Sequence, residues 1–397
     1  MRIALFNALY PTPLQPKIFG GAEVLVRQIA ERLAAQGDEV VAVRIALDGR
    51  RRTEEANGVR VEFVPLRNLF TPFGPKHNAL AHLAWHVVDD WFVAHPEIAV
   101  ILDEFRPQIV HSHTLNGLNA YLWQLARDRG IPVVHTLHDY YLVCPRCSRF
   151  KGETSCTKTC GSCAALTMGR RRRSALVNAV VGVSQRTLDI HVNEGLFATA
   201  ARHVIRNVPN PDIGLAPLDL PGRPLHVGYL GRFSPEKGVR LLAEAAGRLE
   251  PGTVKLVLAG HVSDEERAVL AALAPQTELD FVGFVAPNDF YAKVDVAAVP
   301  SIWEEPGALV LLDALAAGRP VLATAFGGLP EMFEDGVTGW TVAPDAESLA
   351  TAIRRLVAAP ALVLDAHERL KGRRSRTLDD VVTGYSDIYR GLAQGTA

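Results

Sequence analysis

The sequence predicts an α/β protein made of two doubly wound halves. Three observations carry this reading. The chain has 397 residues, enough for two separate cores. Short apolar runs alternate with helix-length amphipathic stretches along most of it. The alternation pauses once, at Asn207-Val208-Pro209-Asn210-Pro211-Asp212, where turn-forming residues crowd together as in a linker. The expected domains are therefore 1–206 and 207–377. Strands separated by helices imply parallel pairing through right-handed crossovers.

In the first half, Ile3 to Phe6 is a short buried strand. Gly20 to Gln36 reads as a helix with Leu25, Ile29 and Leu33 on one face, stopped by Gly37. Val40 to Val43, Val59 to Val64 and Ile109-Val110 are strands. Leu118 to Arg129 is a helix ended by Gly130, and Pro132 to Val134 and Ala179 to Val183 are further strands. Beyond the linker come strands at Leu225–Tyr229, Val254–Ala259, Val296–Val299 and Val321-Leu322. Helices at Val239–Leu249, Glu265–Leu273 and Leu309–Ala317 separate them. The closing segment, 378–397, reads as a helix carrying Tyr385 and Tyr389 and is a candidate to pack back on the first half.

Composition excludes several classes. Hydrophobic residues at 48% and charged residues at 21% describe a globular chain and not a disordered one. Lys plus Arg number 42 against 43 for Asp plus Glu, which argues against a nucleic-acid partner. The apolar start ends at Tyr10-Pro11, too soon for a signal peptide. The helical candidate from Ala79 to Ala94 is broken by His82, His86, Asp89 and Asp90, so nothing reaches spanning length. The expected location is the cytoplasm, with peripheral contact at the inner face of a membrane left open.

Three turns carry the chemistry. Phe19-Gly20-Gly21-Ala22-Glu23 opens a helix shortly after the first strand, where bare amides attract an anion. Two glycines are a weak signal, and a plain tight turn explains them as well. Gly231-Arg232-Phe233-Ser234-Pro235-Glu236-Lys237-Gly238 also joins a strand to a helix and places two positive charges where a phosphate would bind. Pro300-Ser301-Ile302-Trp303-Glu304-Glu305-Pro306-Gly307-Ala308-Leu309 ends a strand in a loop with two carboxylates, and a helix is expected from about Gly307. The amides of Ala308 and Leu309 can meet a diphosphate. Asp313 follows among Leu311, Leu312 and Leu315, where a stray charge is costly.

Together, Gly-Arg-x5-Lys-Gly, Pro-Ser-x3-Glu-Pro, an acid eight residues on, Ala-x2-Ala-x-Gly-x-Pro-Val, Gly-Gly-x-Pro-Glu and Asp-Gly-x-Thr-Gly resemble glycosyltransferase family 4. The likeness runs from Arg2 to about Tyr389 and is most specific in the second half. It implies the GT-B architecture of two Rossmann-like domains facing across a cleft. It implies a transferase that moves a hexose from a UDP- or GDP-sugar with retention, by a front-face reaction in which the leaving phosphate takes the acceptor's proton. By position it implies that Arg232 and Lys237 hold the diphosphate and that Glu305 contacts the donor hexose. Asp313 would bind the ribose, Gly20 and Gly21 would lie against the phosphates, and His113 would stand beside the transferred sugar. No cofactor is implied beyond the nucleotide-sugar donor, and the acceptor would be a glycan, lipid-linked or small molecule. Two positions depart from the pattern. The second acid is Asp313 and not Glu, and Gly307 stands where an aromatic is usual. A nucleotide-sugar epimerase and a non-catalytic relative are the competing readings.

All five cysteines fall in Cys144-x2-Cys147-x8-Cys156-x3-Cys160-x2-Cys163. Such spacing suits structural zinc or an iron–sulfur cluster. A cysteine-bearing subgroup of the family matches at Cys144, Cys156, Cys160 and Cys163, whereas spacing alone favours the two C-x2-C pairs and hence Cys147. Arg170 to Arg173 reads as a solvated helix face before an anionic acceptor or lipid site. His111, His135 and His138 read as packed strand-end histidines, with His138-Asp139 a second choice on the acceptor side.

Overall fold

A computed structural model describes residues 1–16, 20–74, 77–92, 95–220 and 223–395. Phe19 of the opening glycine turn and the end of the 79–94 segment lie outside these. The strands are β1 (Arg2–Phe6), β2 (Glu39–Ala46), β3 (Arg52–Ala56), β4 (Val59–Pro65), β5 (Ile109–Ser112), β6 (Val133–Leu137), β7 (Phe150–Lys151), β8 (Thr154–Ser155), β9 (Ala179–Gly182) and β10 (Ala201–Val204). They continue as β11 (Leu225–Leu230), β12 (Val254–Ala259), β13 (Glu278–Gly283), β14 (Val296–Val299), β15 (Val321–Thr324) and β16 (Gly339–Val342).

Two compact units result. The first comprises Met1–Arg149, Thr157–Arg206 and Leu378–Ala397, and its sheet runs β10-β9-β6-β5-β1-β2-β4-β3. Every neighbour pairs in parallel except β3, which is antiparallel to β4. The second comprises Phe150–Cys156 and Asn207–Thr377, with a parallel sheet β13-β12-β11-β14-β15-β16. That order, third-second-first-fourth-fifth-sixth, is the dinucleotide-fold order. Side chains alternate across it as the pleat requires: Leu256 and Leu258 enter one core and Val257 and Ala259 the other.

Several expectations need correction. Phe150–Cys156 groups with the second unit, although the boundary was set at 206. The helix expected from Leu118 begins at Tyr121. The helix expected from Gly307 begins at Leu309, with Ala308 as its cap residue. Ala79–Val87 is α-helical and passes into a π-helical turn, Val88–Phe92. Among the described residues no helix is long and apolar enough to cross a membrane.

The arginine run is not a solvated face. Arg170 is only 1% exposed. Its Nε and its backbone amide each donate to Asp90 Oδ1 at 3.0 Å, and Nη1 donates to the Tyr141 carbonyl at 3.0 Å. Arg173 donates to the Asp90 carbonyl at 2.8 Å, and Arg171 pairs with Glu194. Only Arg172 is exposed. The acids that interrupt the 79–94 segment are thus the anchors of the arginine helix, with Asp89 accepting from the Tyr141 hydroxyl. Removing one partner of a buried pair strands the other charge. Arg170→Ala should therefore cost about 3–5 kcal/mol, measured by urea denaturation, while Arg172→Ala should cost under about 0.5 kcal/mol. Equal losses would remove Arg170 from this structural role.

Candidate active site

In an open α/β sheet, ligands bind beyond the carboxyl ends of the strands where the strand order reverses. In the second unit that point lies between β11 and β14. The Gly231–Gly238 loop leaves β11 and the Pro300–Pro306 loop leaves β14, so the two motifs flank it.

Glu305 organises the site. It is buried, and its Oε2 accepts from Lys237 Nζ at 2.6 Å, Trp303 Nε1 at 3.0 Å and Ser301 Oγ at 3.3 Å. The Lys237 ammonium also lies 5.1 Å from the Trp303 ring centroid, within cation–π range. The turn after β15 closes the third side: Gly328 N donates to the Glu305 carbonyl at 2.7 Å, and Thr324 Oγ1 donates to the Ser301 carbonyl. Two glycines permit the approach. Gly238 has φ 71°, and a Cβ there would stand 1.9 Å from the Pro300 carbonyl oxygen. Gly327 has φ 59°, and a Cβ there would stand 2.3 Å from the Glu305 amide nitrogen.

Arg232 occupies the same loop but reaches outward. Its side chain is 71% exposed and lies 3.4 Å from Glu236, which also accepts from Ser234 Oγ at 2.7 Å. Past Gly307 and Ala308, the helix from Leu309 starts with no side-chain cap. Asp313 is buried one turn further, and its Oδ1 accepts from the Asn210 amide at 2.7 Å. Burial raises its pKa to about 6, against the effect of the Asn210 bond. Asn207 Nδ2 donates to the Gly307 carbonyl at 3.3 Å. The turn-rich linker is therefore fastened to the helix start and to the second acid.

In the first unit the strand order reverses between β1 and β5, and His113 follows β5 there. Its amide donates to the Phe6 carbonyl at 2.8 Å. The ring is 2% exposed, its Nδ1 lies 3.0 Å from His138 Nε2, and its buried Nε2 has no hydrogen-bond partner. His111 packs against it with ring centroids 4.0 Å apart. His111 Nδ1 is 2.6 Å from the Tyr389 hydroxyl and Nε2 is 2.8 Å from Thr136 Oγ1, which is 3.1 Å from the Tyr385 hydroxyl. His135 Nδ1 bonds Ser112 Oγ at 2.9 Å. Burial drives all four imidazoles toward neutrality, His135 to about 3 and His138 to about 4, with His111 and His113 well below their usual value. His111 and His135 are thus satisfied packing histidines, whereas His113 keeps an open nitrogen. Gly20 and Gly21, also in this unit, are exposed at the start of the helix Gly21–Ala35, which has no side-chain cap.

Sequence reasoning missed the tyrosine partners of His111, the Ser301 and Trp303 donors to Glu305, and the Asn210 bond to Asp313. Trp303, two residues before the acid, was a visible signal, whereas Tyr389 is 278 positions from its partner.

The cysteine cluster is not seen as a metal site. None of the five forms a disulfide, and among the described residues no three His, Cys, Asp or Glu side chains gather as a metal site. Cys160 and Cys163 interact, and a bond from Ser162 lowers the Cys160 pKa to about 6. Cys147 instead takes a bond from Asn116 Nδ2 at 3.2 Å, burial pushes its thiol up, and Cys156 belongs to the second unit.

Residues 20–210 match the glycosyl transferase 4-like domain family, and residues 224–359 match glycosyl transferases group 1. Over 335 residues the chain is 31% identical to an uncharacterized 42.6 kDa protein in the cps region of Klebsiella pneumoniae, covering 84% of this chain and 87% of that one. It is 31% identical to the D-inositol 3-phosphate glycosyltransferase of Actinosynnema mirum, covering 71% of this chain and 73% of that one. Among solved structures, Anabaena HepE in complex with UDP aligns with a TM-score of 0.69 at 20% identity, over 99% of this chain and 100% of that one. Fold and site together define a glycosyltransferase with two Rossmann-like units of the GT-B class. The chain belongs to glycosyltransferase family 4.

Two outcomes test this geometry. Gly238→Ala should cost about 2–4 kcal/mol in urea denaturation, while Gly372→Ala, whose Cβ meets nothing nearer than 3.9 Å, should be nearly neutral. Similar midpoints would show that the two loops do not need their close approach. The second outcome concerns pH. Unfolded, His138 takes up a proton near pH 6.5, but folded it does so only near 4. Its contribution to stability is complete above about pH 6.5 and is lost as pH falls toward 4. His138→Gln should remove up to about 1.4 kcal/mol per pH unit from that slope. Thermal midpoints between pH 4.5 and 6.5 check this, and parallel curves for the two proteins would reject a neutral buried imidazole.

Proposed function

We propose that the protein transfers a hexose from a uridine diphosphate sugar, with retention, to a hydroxyl of a glycan, lipid-linked or small-molecule acceptor. The observation that carries this is the Lys237–Glu305 pair at the switch point of the second unit. Glu305 orders the ammonium before any diphosphate arrives, which is what electrostatic stabilisation of a leaving group needs. Arg232, exposed in the same loop, adds a fork of donors for phosphate oxygens. The Glu305 carboxylate accepts from sugar hydroxyls, and Asp313 keeps acceptor capacity for ribose hydroxyls beyond its bond to Asn210. Ala308, Leu309 and the uncapped helix start provide amides for the diphosphate. Gly20 and Gly21 offer the same feature in the first unit.

In the proposed step the acceptor hydroxyl attacks the anomeric carbon on the face the diphosphate leaves. The bond from that carbon to the diphosphate oxygen breaks, and this oxygen takes the acceptor's proton. The chain positions and neutralises, and no covalent enzyme intermediate is invoked. His113 is assigned to the transferred sugar, and its buried, unpartnered Nε2 supports this. Uridine is favoured because HepE, of the same fold, was solved with UDP.

Purified protein with a panel of UDP- and GDP-sugars and a set of glycan acceptors should release UDP only when both substrates are present. Glu305→Gln and Lys237→Ala should each lower kcat/KM by about 100-fold or more, and proton NMR should show the donor's anomeric configuration kept in the product. Release of GDP, an inverted product, or full activity in Glu305→Gln would each overturn its part of the reading.

A further inference from the structure

The helix Ala79–Val87 is fixed by its inner face. Trp85 is 2% exposed and its Nε1 donates to the Phe70 carbonyl at 2.7 Å. Asp89, on the continuing turn, is buried beneath Tyr141. The outer face is unusual. Leu80, Leu83 and Val87 are exposed at 77%, 47% and 37%, and Trp91 at 44%. At 3.6 residues per turn, the first three fall within about 60° of one another, and Trp91 extends the stripe by one more turn. With Leu69 and Met168 they make up half of the exposed large apolar side chains among the described residues. Packing does not require them, because the opposite face already holds the helix.

The exposed charge on the two segments that carry them is of one sign. From His77 to Val88 there is no Asp, Glu, Lys or Arg. The neighbouring stretch, Gly161 to Arg173, contains no acid. Its exposed Met168 and Arg172 stand four residues apart on one helix, and the Arg172 guanidinium lies 5.9 Å from the Trp91 ring centroid. A protein interface normally has a polar rim. Glu194 borders Met168 and Arg172 but is already paired with Arg149 and Arg171, and an apolar stripe ending in tryptophan beside an outward arginine is the pattern of a helix lying in a bilayer interface. The remaining arginines of the run are spent inside the fold, which leaves Arg172 to meet a phosphate headgroup.

We infer that this stripe, Leu80-Leu83-Val87-Trp91 with Met168 and Arg172, docks the first unit on an anionic lipid surface. The docking is separate from the donor site and does not depend on which sugar is transferred.

The full chain is mixed with vesicles of phosphatidylglycerol and phosphatidylcholine in equal parts, and with vesicles of phosphatidylcholine alone, and binding is read by flotation. Binding to the anionic vesicles, at least 10-fold weaker on the neutral ones, is expected. L80E/L83E and Arg172→Ala should each lower it by at least 10-fold, with thermal midpoints and UDP-induced stabilisation unchanged because these side chains face outward. A vesicle-induced blue shift in tryptophan emission should disappear in Trp91→Phe. The inference falls if the native chain does not float with anionic vesicles, or if L80E/L83E floats equally well. It also falls if the stripe instead holds two copies together, seen as a native dimer that becomes monomeric in L80E/L83E without vesicle binding.

Discussion

A buried carboxylate sets the terms for the second unit. Glu305 is removed from water, and an ion so placed costs several kcal/mol unless it is fully bonded. Three donors from two loops converge on one of its oxygens, and the turn after β15 takes its main-chain carbonyl. Satisfying that one group therefore fixes three connections at the carboxyl ends of β11, β14 and β15. It also explains why Gly238 and Gly327 cannot carry a side chain: each lies where one loop must touch the backbone of another. The residues that would grip a donor are the same ones that hold the loops in register, so structure and chemistry share a single polar network.

How much of this could be read from sequence follows from where each strand sits. The interior strands of both sheets are rich in Val, Ile, Leu and Ala, because both faces are covered, and all were visible. The four edge strands, β3, β10, β13 and β16, were not. Arg52–Ala56, Ala201–Val204 and Glu278–Gly283 are partly exposed along their length, and charged or polar residues interrupt the pattern. Gly339–Val342 is buried but carries Gly and Thr in place of an apolar run. The site was legible at Lys237 and Glu305, since their spacing within strand-to-helix turns reflects local geometry. The arginine run misled for the opposite reason. Its burial depends on Asp90, about 80 residues away, and nothing local to Arg170 announces that partner.

Asp313 shows a middle case. Its apolar neighbours marked it as a carboxylate in need of a partner, and one oxygen is engaged by the Asn210 amide. With Asn207 bonded to the Gly307 carbonyl, the linker is tied to both ends of the segment that begins the donor-side helix. A glutamate would place its carboxylate one methylene further from the helix backbone. The shorter acid accompanies a linker bonded at both Asn207 and Asn210.

The two units also divide the electrostatics. The second carries fixed charges, with Lys237 and Arg232 set against Glu305 and Glu236. The first carries four histidines that burial keeps uncharged. In the proposed transfer positive charge grows on the sugar ring as the diphosphate departs. A cationic imidazole beside that ring would oppose the reaction, whereas a neutral one can exchange a hydrogen bond with a hydroxyl at no such cost. Burying His113 on His111, and bonding His111 to Tyr389 and Thr136, keeps the ring both uncharged and oriented. The closing helix, which supplies Tyr389, thereby takes part in the electrostatics of a strand end far from it in sequence.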